Sequence, residues 1–265
     1  MHSRVVLDDK TAIVLHSYSY RDSSVIVNLF LQDVGKVSAI ARGIKGNKGK
    51  SAKNNQVVLL QPFQKLKISL VGKGDLLTLK SVELCEESDN SLNLWRLSGK
   101  SLYCAYYLNE LLLRLLPTHS DCTEIFELYI HIISLFSQSS NKKPQQQSQH
   151  ASEMMNLELP LRLFELKLLE YLGYGLNFEL DINTGSSIES HKNYHYFIDA
   201  GPTENPLEGT KSLLISGKTL LNLSQAQLND QKTLQESKQL LKWALAEQLG
   251  SQPLKSREMF KQLYC

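Results

Sequence analysis

The hydrophobic period of this 265-residue chain changes from strand-like to helical near residue 83, and that switch limits the folds open to it. Between Thr11 and about Val82 the apolar runs are short and strand-like: TAIVLHS, SVIVNLFL, GKVSAIA, QVVLLQPFQKLKISLV and LLTLKSV. Turn chemistry separates them at Tyr20 to Asp22, Asp33 to Gly35, Gly43 to Asn55 and Gly72 to Asp75. Five short strands in about 70 residues predict a small closed barrel. Alternation is clearest at Leu66, Ile68 and Leu70, with Lys65, Lys67 and Ser69 between them, which turns Lys65 and Lys67 toward water.

Past residue 83 the spacing is helical. One helix is predicted from about Ser98 to Leu116, closed by Pro117, and a second from about Thr123 to Ser137 with Ile125, Tyr129, Ile132 and Phe136 buried. Asp121 and Glu124 read as a capping pair for the second. Residues 137–156 begin polar and Gln-rich, without a period, and predict a flexible connector. A third helix is expected to start near Pro160, where a missing N–H costs nothing, carrying Leu161, Phe164, Leu168 and Tyr171 to the LGYG stop at Gly173 and Gly175. Residues 177–215 read as an irregular or β-rich insertion with YHYFIDA as its best strand, and the last 50 or so residues return to helix. The expected architecture is α+β: a barrel domain over residues 1–82 and a helical domain over 83–265.

Charge divides the chain in the same place. Residues 1–80 hold 13 Lys or Arg against 5 Asp, a net +8, whereas residues 81–265 hold 16 basic and 22 acidic residues, a net −6. The densest cations are Arg42, Lys45, Lys48, Lys50 and Lys53, in a Gly-spaced loop without an acid. With Lys65 and Lys67 they form a basic stripe suited to a phosphate backbone, binding with strong salt dependence and little base preference. A membrane surface fits less well, since a peripheral anchor wants a basic amphipathic helix rather than a Gly/Asn/Ser loop. Lys255, Arg257 and Lys261 form a second basic cluster near the C-terminus. Tyr18 and Tyr20 lie in a polar turn and are the candidate rings for base stacking, whereas Phe30 and Phe63 read as core.

Several chemistries are set aside. GKGD at Gly72 and GNKGKS at Gly46 lack the spacing of a phosphate loop, so ATP binding is not expected. Glu86, Glu87 and Asp89 read as a solvated surface rather than a nuclease metal site. His191 and His195 have no third ligand type nearby, and Cys85, Cys104, Cys122 and Cys265 are scattered, so no zinc site and no disulfide framework is indicated. No signal peptide or membrane span is read, and a reducing cytoplasm fits. Arg162, between Leu161 and Phe164 on an apolar helix start, could hold a partner's carboxylate; taken alone, it fits an ordinary salt bridge to Glu158 or Glu165 better.

Five collinear stretches resemble the RecO family of bacterial recombination and repair mediators: residues 12–46, AIVLHSYSYRDSSVIVNLFLQDVGKVSAIARGIKG; 61–83, QPFQKLKISLVGKGDLLTLKSVE; 107–116, YLNELLLRLL; 161–178, LRLFELKLLEYLGYGLNF; and 253–263, PLKSREMFKQL. The resemblance implies an N-terminal OB-fold followed by a helical domain. It also implies binding of single- and double-stranded DNA, annealing of complementary strands, no cofactor and no catalytic residue. The implied partners are RecR, the C-terminal tail of the single-stranded DNA-binding protein SSB and, indirectly, RecA, in the cytoplasm at the nucleoid. It places Leu161, Arg162 and Phe164 in the helix linked to the SSB tail, which favours the partner-binding role for Arg162. Where some relatives hold a four-cysteine zinc module after LGYG, this chain has no cysteine, so no structural metal is expected. An RNA-binding OB module and a nucleic-acid hydrolase are the alternatives, because phosphate contacts and stacking do not by themselves distinguish the sugar.

Overall fold

The computed structural model describes residues 4–44, 58–85, 97–118, 120–140, 150–205 and 209–264, with backbone alone over 150–155. Packing divides the chain into two compact units, residues 1–143 with 253–265, and residues 144–252.

The first unit is built on a closed barrel of β1 (Val5–Tyr20), β2 (Ser24–Leu31), β3 (Gly35–Ala41), β4 (Lys65–Gly72) and β5 (Leu76–Leu84), in the order β1-β2-β3-β5-β4. Every neighbouring pair is antiparallel except β3 and β5. The 16-residue β1 closes the ring by pairing with β4 along its first half and with β2 along its second. Register shifts at Leu7/Lys10 and Val14/His16 supply the bend, because a bulge adds a residue and local twist to one strand. Ala12, Val14, Val27, Leu29, Val37, Ala39, Leu66, Ile68, Leu70 and Leu77 fill the interior. Gly35, at φ +82° in the turn into β3, is required there: a Cβ would meet the Ser120 carbonyl oxygen at 2.5 Å.

Two helices, α1 (Gly99–Leu115) and α2 (Thr123–Ser140), belong to the same unit. Strand β2 is buried on both faces because its outward Phe30 meets Phe126 and Tyr129, with ring centroids 5.1 and 6.0 Å away. The Val14/His16 bulge leaves the Leu15 carbonyl for Asn109, whose Nδ2 donates to it at 2.8 Å, and Asn109 Oδ1 accepts from the Tyr129 hydroxyl at 2.6 Å. A buried polar relay thus joins barrel, α1 and α2 with its groups paired. At the start of α2, Asp121 Oδ1 accepts from the Thr123 backbone N–H at 3.1 Å, which is the Asp121 half of the expected capping pair.

The second unit holds α3 (His150–Tyr171), a three-stranded antiparallel sheet of β6 (Asn193–Phe197), β7 (Gly201–Thr203) and β8 (Leu213–Ser216) in the order β7-β6-β8, then α4 (Gly217–Ser224) and α5 (Gln231–Leu249). The third helix begins at His150, not near Pro160, which lies inside it. Residues 151–159, ASEMMNLEL, are rich in helix formers, and tertiary packing of the following turns supports a start that their weak stripe does not announce. Of the connector expected over 137–156, residues 137–140 belong to α2, 150–156 belong to α3, and 141–149 lie outside the described residues. Gly173, at φ +83°, ends α3 in a Schellman motif: Tyr174 N–H donates to Leu169 O at 2.9 Å and Gly173 N–H to Glu170 O at 3.0 Å. The last helix, α6 (Lys255–Tyr264), belongs to the first unit and packs on α1.

Candidate nucleic-acid interface

The outward residues of β1 beyond its second bulge are His16, Tyr18 and Tyr20. They alternate with Ser17 and Ser19, and their partners on β2 are Asn28, Ile26 and Ser24. Asn28 and Ile26 pair in turn with Ser38 and Ile40 of β3. The result is a ribbon of three ring-bearing side chains on one side, with the polar Asn28, Ser38 and Ser24 and the buried Ile26 and Ile40 across it. Tyr18 is 47% exposed, and its ring centroid lies 5.9 Å from that of His16. A half-exposed ring on a rigid strand offers a flat apolar face to a base.

Cations close one end of this ladder. Arg21, in the turn after β1, holds its guanidinium carbon 5.2 Å from the Tyr20 ring centroid, and its backbone is left-handed at φ +54°. Arg42 is exposed and follows Ala41, which pairs with Val25 beside the same turn. The β1–β2 turn and the exit from β3 therefore put Arg21 and Arg42 at the same end as Tyr20. Lys45, Lys48, Lys50 and Lys53 follow Arg42 in the chain but lie outside the described residues.

The other expected cations fall elsewhere. Lys65 and Lys67 are both on the outer side of β4, where they pair with Ile13 and Thr11 of the first half of β1 rather than with the ladder. Lys67 is exposed and 3.4 Å from Asp9 Oδ2; Lys65 is half-buried in a groove with Gln32, Phe126, Ile130 and His131. On α6, Lys255 and Lys261 are exposed. Arg257 instead turns onto Tyr107, donating to its hydroxyl at 2.9 Å with the guanidinium carbon 5.0 Å from the ring centroid.

Leu161 and Phe164 on α3 are buried, and so is Arg162, whose Nη1 lies 2.9 Å from Glu165 Oε2 with the two side chains 6% and 0% exposed. Among the described residues, Arg162 Nε is buried without a hydrogen-bond partner. Glu158, the other acid considered for it, pairs with Lys238 of α5 at 2.6 Å.

The groups considered for metal or thiol chemistry do not converge. His195 is on β6 with Nδ1 3.0 Å from Ser212 Oγ, while His191 precedes that strand beside Glu189, so the two share no helix face. No group of three His, Cys, Asp or Glu able to hold a metal ion occurs among the described residues, and Glu86, Glu87 and Asp89 lie outside them. The buried Cys122 thiol is pushed up to about 12 by burial and by the Asp121 charge, which leaves it unreactive at neutral pH. At the start of α4, Gly217, Lys218 and Thr219 follow a strand and open a helix, but the anion position is filled from within: Glu236 Oε2 accepts from Ser216 N–H at 3.1 Å and from Ser216 Oγ at 2.7 Å.

His16 and Arg21 were missed in the sequence. The signal was present as H-S-Y-S-Y-R, a period-two run with aromatic groups on one side, but only the bulge at Val14/His16 fixes which side faces outward.

Residues 7–87 match the family described as "Recombination protein O N terminal" and residues 96–258 the family described as "Recombination protein O C terminal". Relatives named DNA repair protein RecO include that of Nitrosococcus oceani, 37% identical over 260 residues covering 98% of this chain and 94% of the relative. That of Dechloromonas aromatica is 35% identical over 263 residues covering 99% of each chain. Among the described residues no helix is long and apolar enough to cross a membrane. With both halves matched in order and the barrel first in the chain, the protein belongs to the RecO family of DNA repair and recombination proteins.

Proposed function

We propose that the protein is a repair and recombination mediator that binds single- and double-stranded DNA and anneals complementary strands. With RecR it helps load RecA onto strands coated by SSB, in the cytoplasm at the nucleoid. It acts by holding and handing on strands, with no cofactor and no bond cleaved. The observation that carries the reading is the ladder of exposed His16 and Tyr18 and half-buried Tyr20, with Arg21 and Arg42 at its end. Rings accept any base and cations any phosphate, which suits a protein that must engage strands of arbitrary sequence. Lys45, Lys48, Lys50 and Lys53 are proposed to extend this surface along the backbone, and Lys65, Lys67, Lys255, Arg257 and Lys261 to serve as further phosphate contacts. Leu161, Arg162 and Phe164 are proposed as the part of α3 that recognises the SSB tail, with Arg162 supplying charge from within the helix packing.

Removal of the Tyr18 ring tests the ladder. Tyr18→Ala is expected to weaken binding of a labelled single strand by about 1–3 kcal/mol, roughly 5- to 150-fold, while Tyr18→Phe stays near the parent. An alanine variant with parental affinity would remove the ladder from the proposal. The loop is tested by salt: changing Lys45, Lys48 and Lys50 together to alanine is expected to flatten the slope of log K against log salt by about 2, since each single-strand phosphate contact contributes about 0.7. An unchanged slope excludes those lysines.

A further inference from the structure

The first unit carries a second set of rings and cations, away from the ladder. Tyr103 on α1 meets Phe260 and Tyr264 on α6 edge to face, with centroids 6.4 and 5.8 Å apart, and Phe260 lies 5.0 Å from Tyr264. Lys100, one turn before Tyr103, places its Nζ 5.9 Å from the Tyr264 centroid. Tyr264 is 41% exposed, with Met259 at 46% and Leu263 at 59% beside it in the same helix. Packed edge to face, the rings brace one another while the outermost keeps a face for a ligand.

The helix end is fixed as well as the rings. Glu110 of α1 accepts the backbone N–H of Lys255 and of Ser256, both at 2.9 Å, and the Ser256 hydroxyl at 2.6 Å, so one carboxylate caps the first turn of α6. Arg257 Nη2 donates to the Tyr107 hydroxyl. Among the described residues of α1 and α6 near the rings, Lys255 and Lys261 are exposed and Lys100 is half-buried, against one exposed acid of α6, Glu258. Asn109, which donates to the barrel's Leu15 carbonyl, lies on a different face of α1 from Tyr103, whereas Tyr106, one turn after Tyr103, meets Phe63 with ring centroids 5.0 Å apart.

We propose that Tyr103, Phe260 and Tyr264, flanked by Lys100 and Lys261, form a second single-strand binding platform, distinct from the ladder on β1. Charge complementarity selects a polyanion, and the braced rings select its unpaired bases over its backbone alone. The proposal rests on the reading of the barrel as a strand-binding surface and extends it: a chain with two such platforms can hold two strands at once, as annealing demands.

The test uses the full chain and short dT strands, about 10 nucleotides, which cannot pair with each other and fit one stacking site. Equal amounts of donor- and acceptor-labelled strand are added together until the protein is saturated, and energy transfer between strands held on one chain is recorded. The parent is expected to show transfer. The variant combining Lys100→Ala with Tyr264→Ala is expected to keep first-strand affinity within about twofold while second-strand capture falls at least about tenfold, the loss of one stacked base and one phosphate contact. Tyr264→Phe, which keeps the ring, is expected to behave as the parent and controls for folding. Parental capture in the double variant overturns the platform, and so does a variant defect seen only in association with a protein partner. A parent that binds one strand without transfer refutes the platform and leaves the barrel reading standing; a parent that binds no strand refutes both.

Discussion

Replacing Arg162 with alanine is expected to lower the free energy of unfolding by about 3–5 kcal/mol, the loss that follows when one partner of a buried ion pair is removed. The geometry makes the case: Arg162 Nη1 and Glu165 Oε2 are 2.9 Å apart one helical turn from each other, with side chains 6% and 0% exposed. Alanine leaves the Glu165 carboxylate inside the second unit without that cation. Conversion of both residues together, Arg162→Met with Glu165→Leu, removes both charges and is expected to be near neutral or stabilising. Glu158→Ala supplies the contrast on the same helix. Its 2.6 Å pair with Lys238 is solvated, and its loss is expected to cost less than about 1 kcal/mol. Urea unfolding of the three variants decides the matter; a loss under about 1 kcal/mol for Arg162→Ala would mean that water reaches the pair. The consequence for function is direct. A fall in SSB-tail binding by Arg162→Ala counts as recognition only if the double variant, folded and uncharged, also fails to bind.

The barrel was legible because its evidence is local. Alternation in LKISL and short runs broken by Asp33–Gly35 and Gly72–Asp75 depend only on neighbours in the chain. The burial of β2 on both faces was not, since it depends on Phe30 meeting Phe126 and Tyr129, about 100 residues away in sequence, and no period announces such a meeting. The sequence places the start of α3 about ten residues late because Pro160 resembles a first-turn proline, whereas an internal one removes a single helix bond and is accommodated here. Helix α4, eight residues long, is too short to show a stripe. For the site, charge density predicts a polyanionic ligand, but which cations share a surface is set by strand register. Lys65 and Lys67 look adjacent to the loop in sequence and pair with the other half of β1 in the barrel.

Asp181→Ala is expected to destabilise the small sheet of the second unit by roughly 3–5 kcal/mol, because three backbone N–H groups lose a charged acceptor that contributes about 1.5 kcal/mol or more to each. Oδ1 accepts from Asn183 at 2.9 Å and Thr184 at 3.0 Å, and Oδ2 from Glu204 at 2.8 Å. One buried carboxylate therefore ties the loop after α3 to the end of β7. Asn at this position keeps Oδ1 for the first two donors but turns an NH₂ toward the Glu204 N–H, so Asp181→Asn is expected to fall between parent and alanine variant. The pH dependence follows with a definite sign. Burial pushes the Asp181 carboxyl up, but the Thr184, Glu204 and Asn183 N–H groups outweigh it and hold the group below its ordinary value. Its contribution is then fully present above the unfolded-state value of about 3.9 and is lost as pH falls through the lower folded-state value. Hydrogen exchange at the Asn183, Thr184 and Glu204 amides reads this locally: protection, taken relative to the intrinsic exchange rate at each pH, is expected to fall on acidification in the parent and to be insensitive in Asp181→Asn over the same window. A parent and variant that respond alike would show that another carboxylate holds the loop.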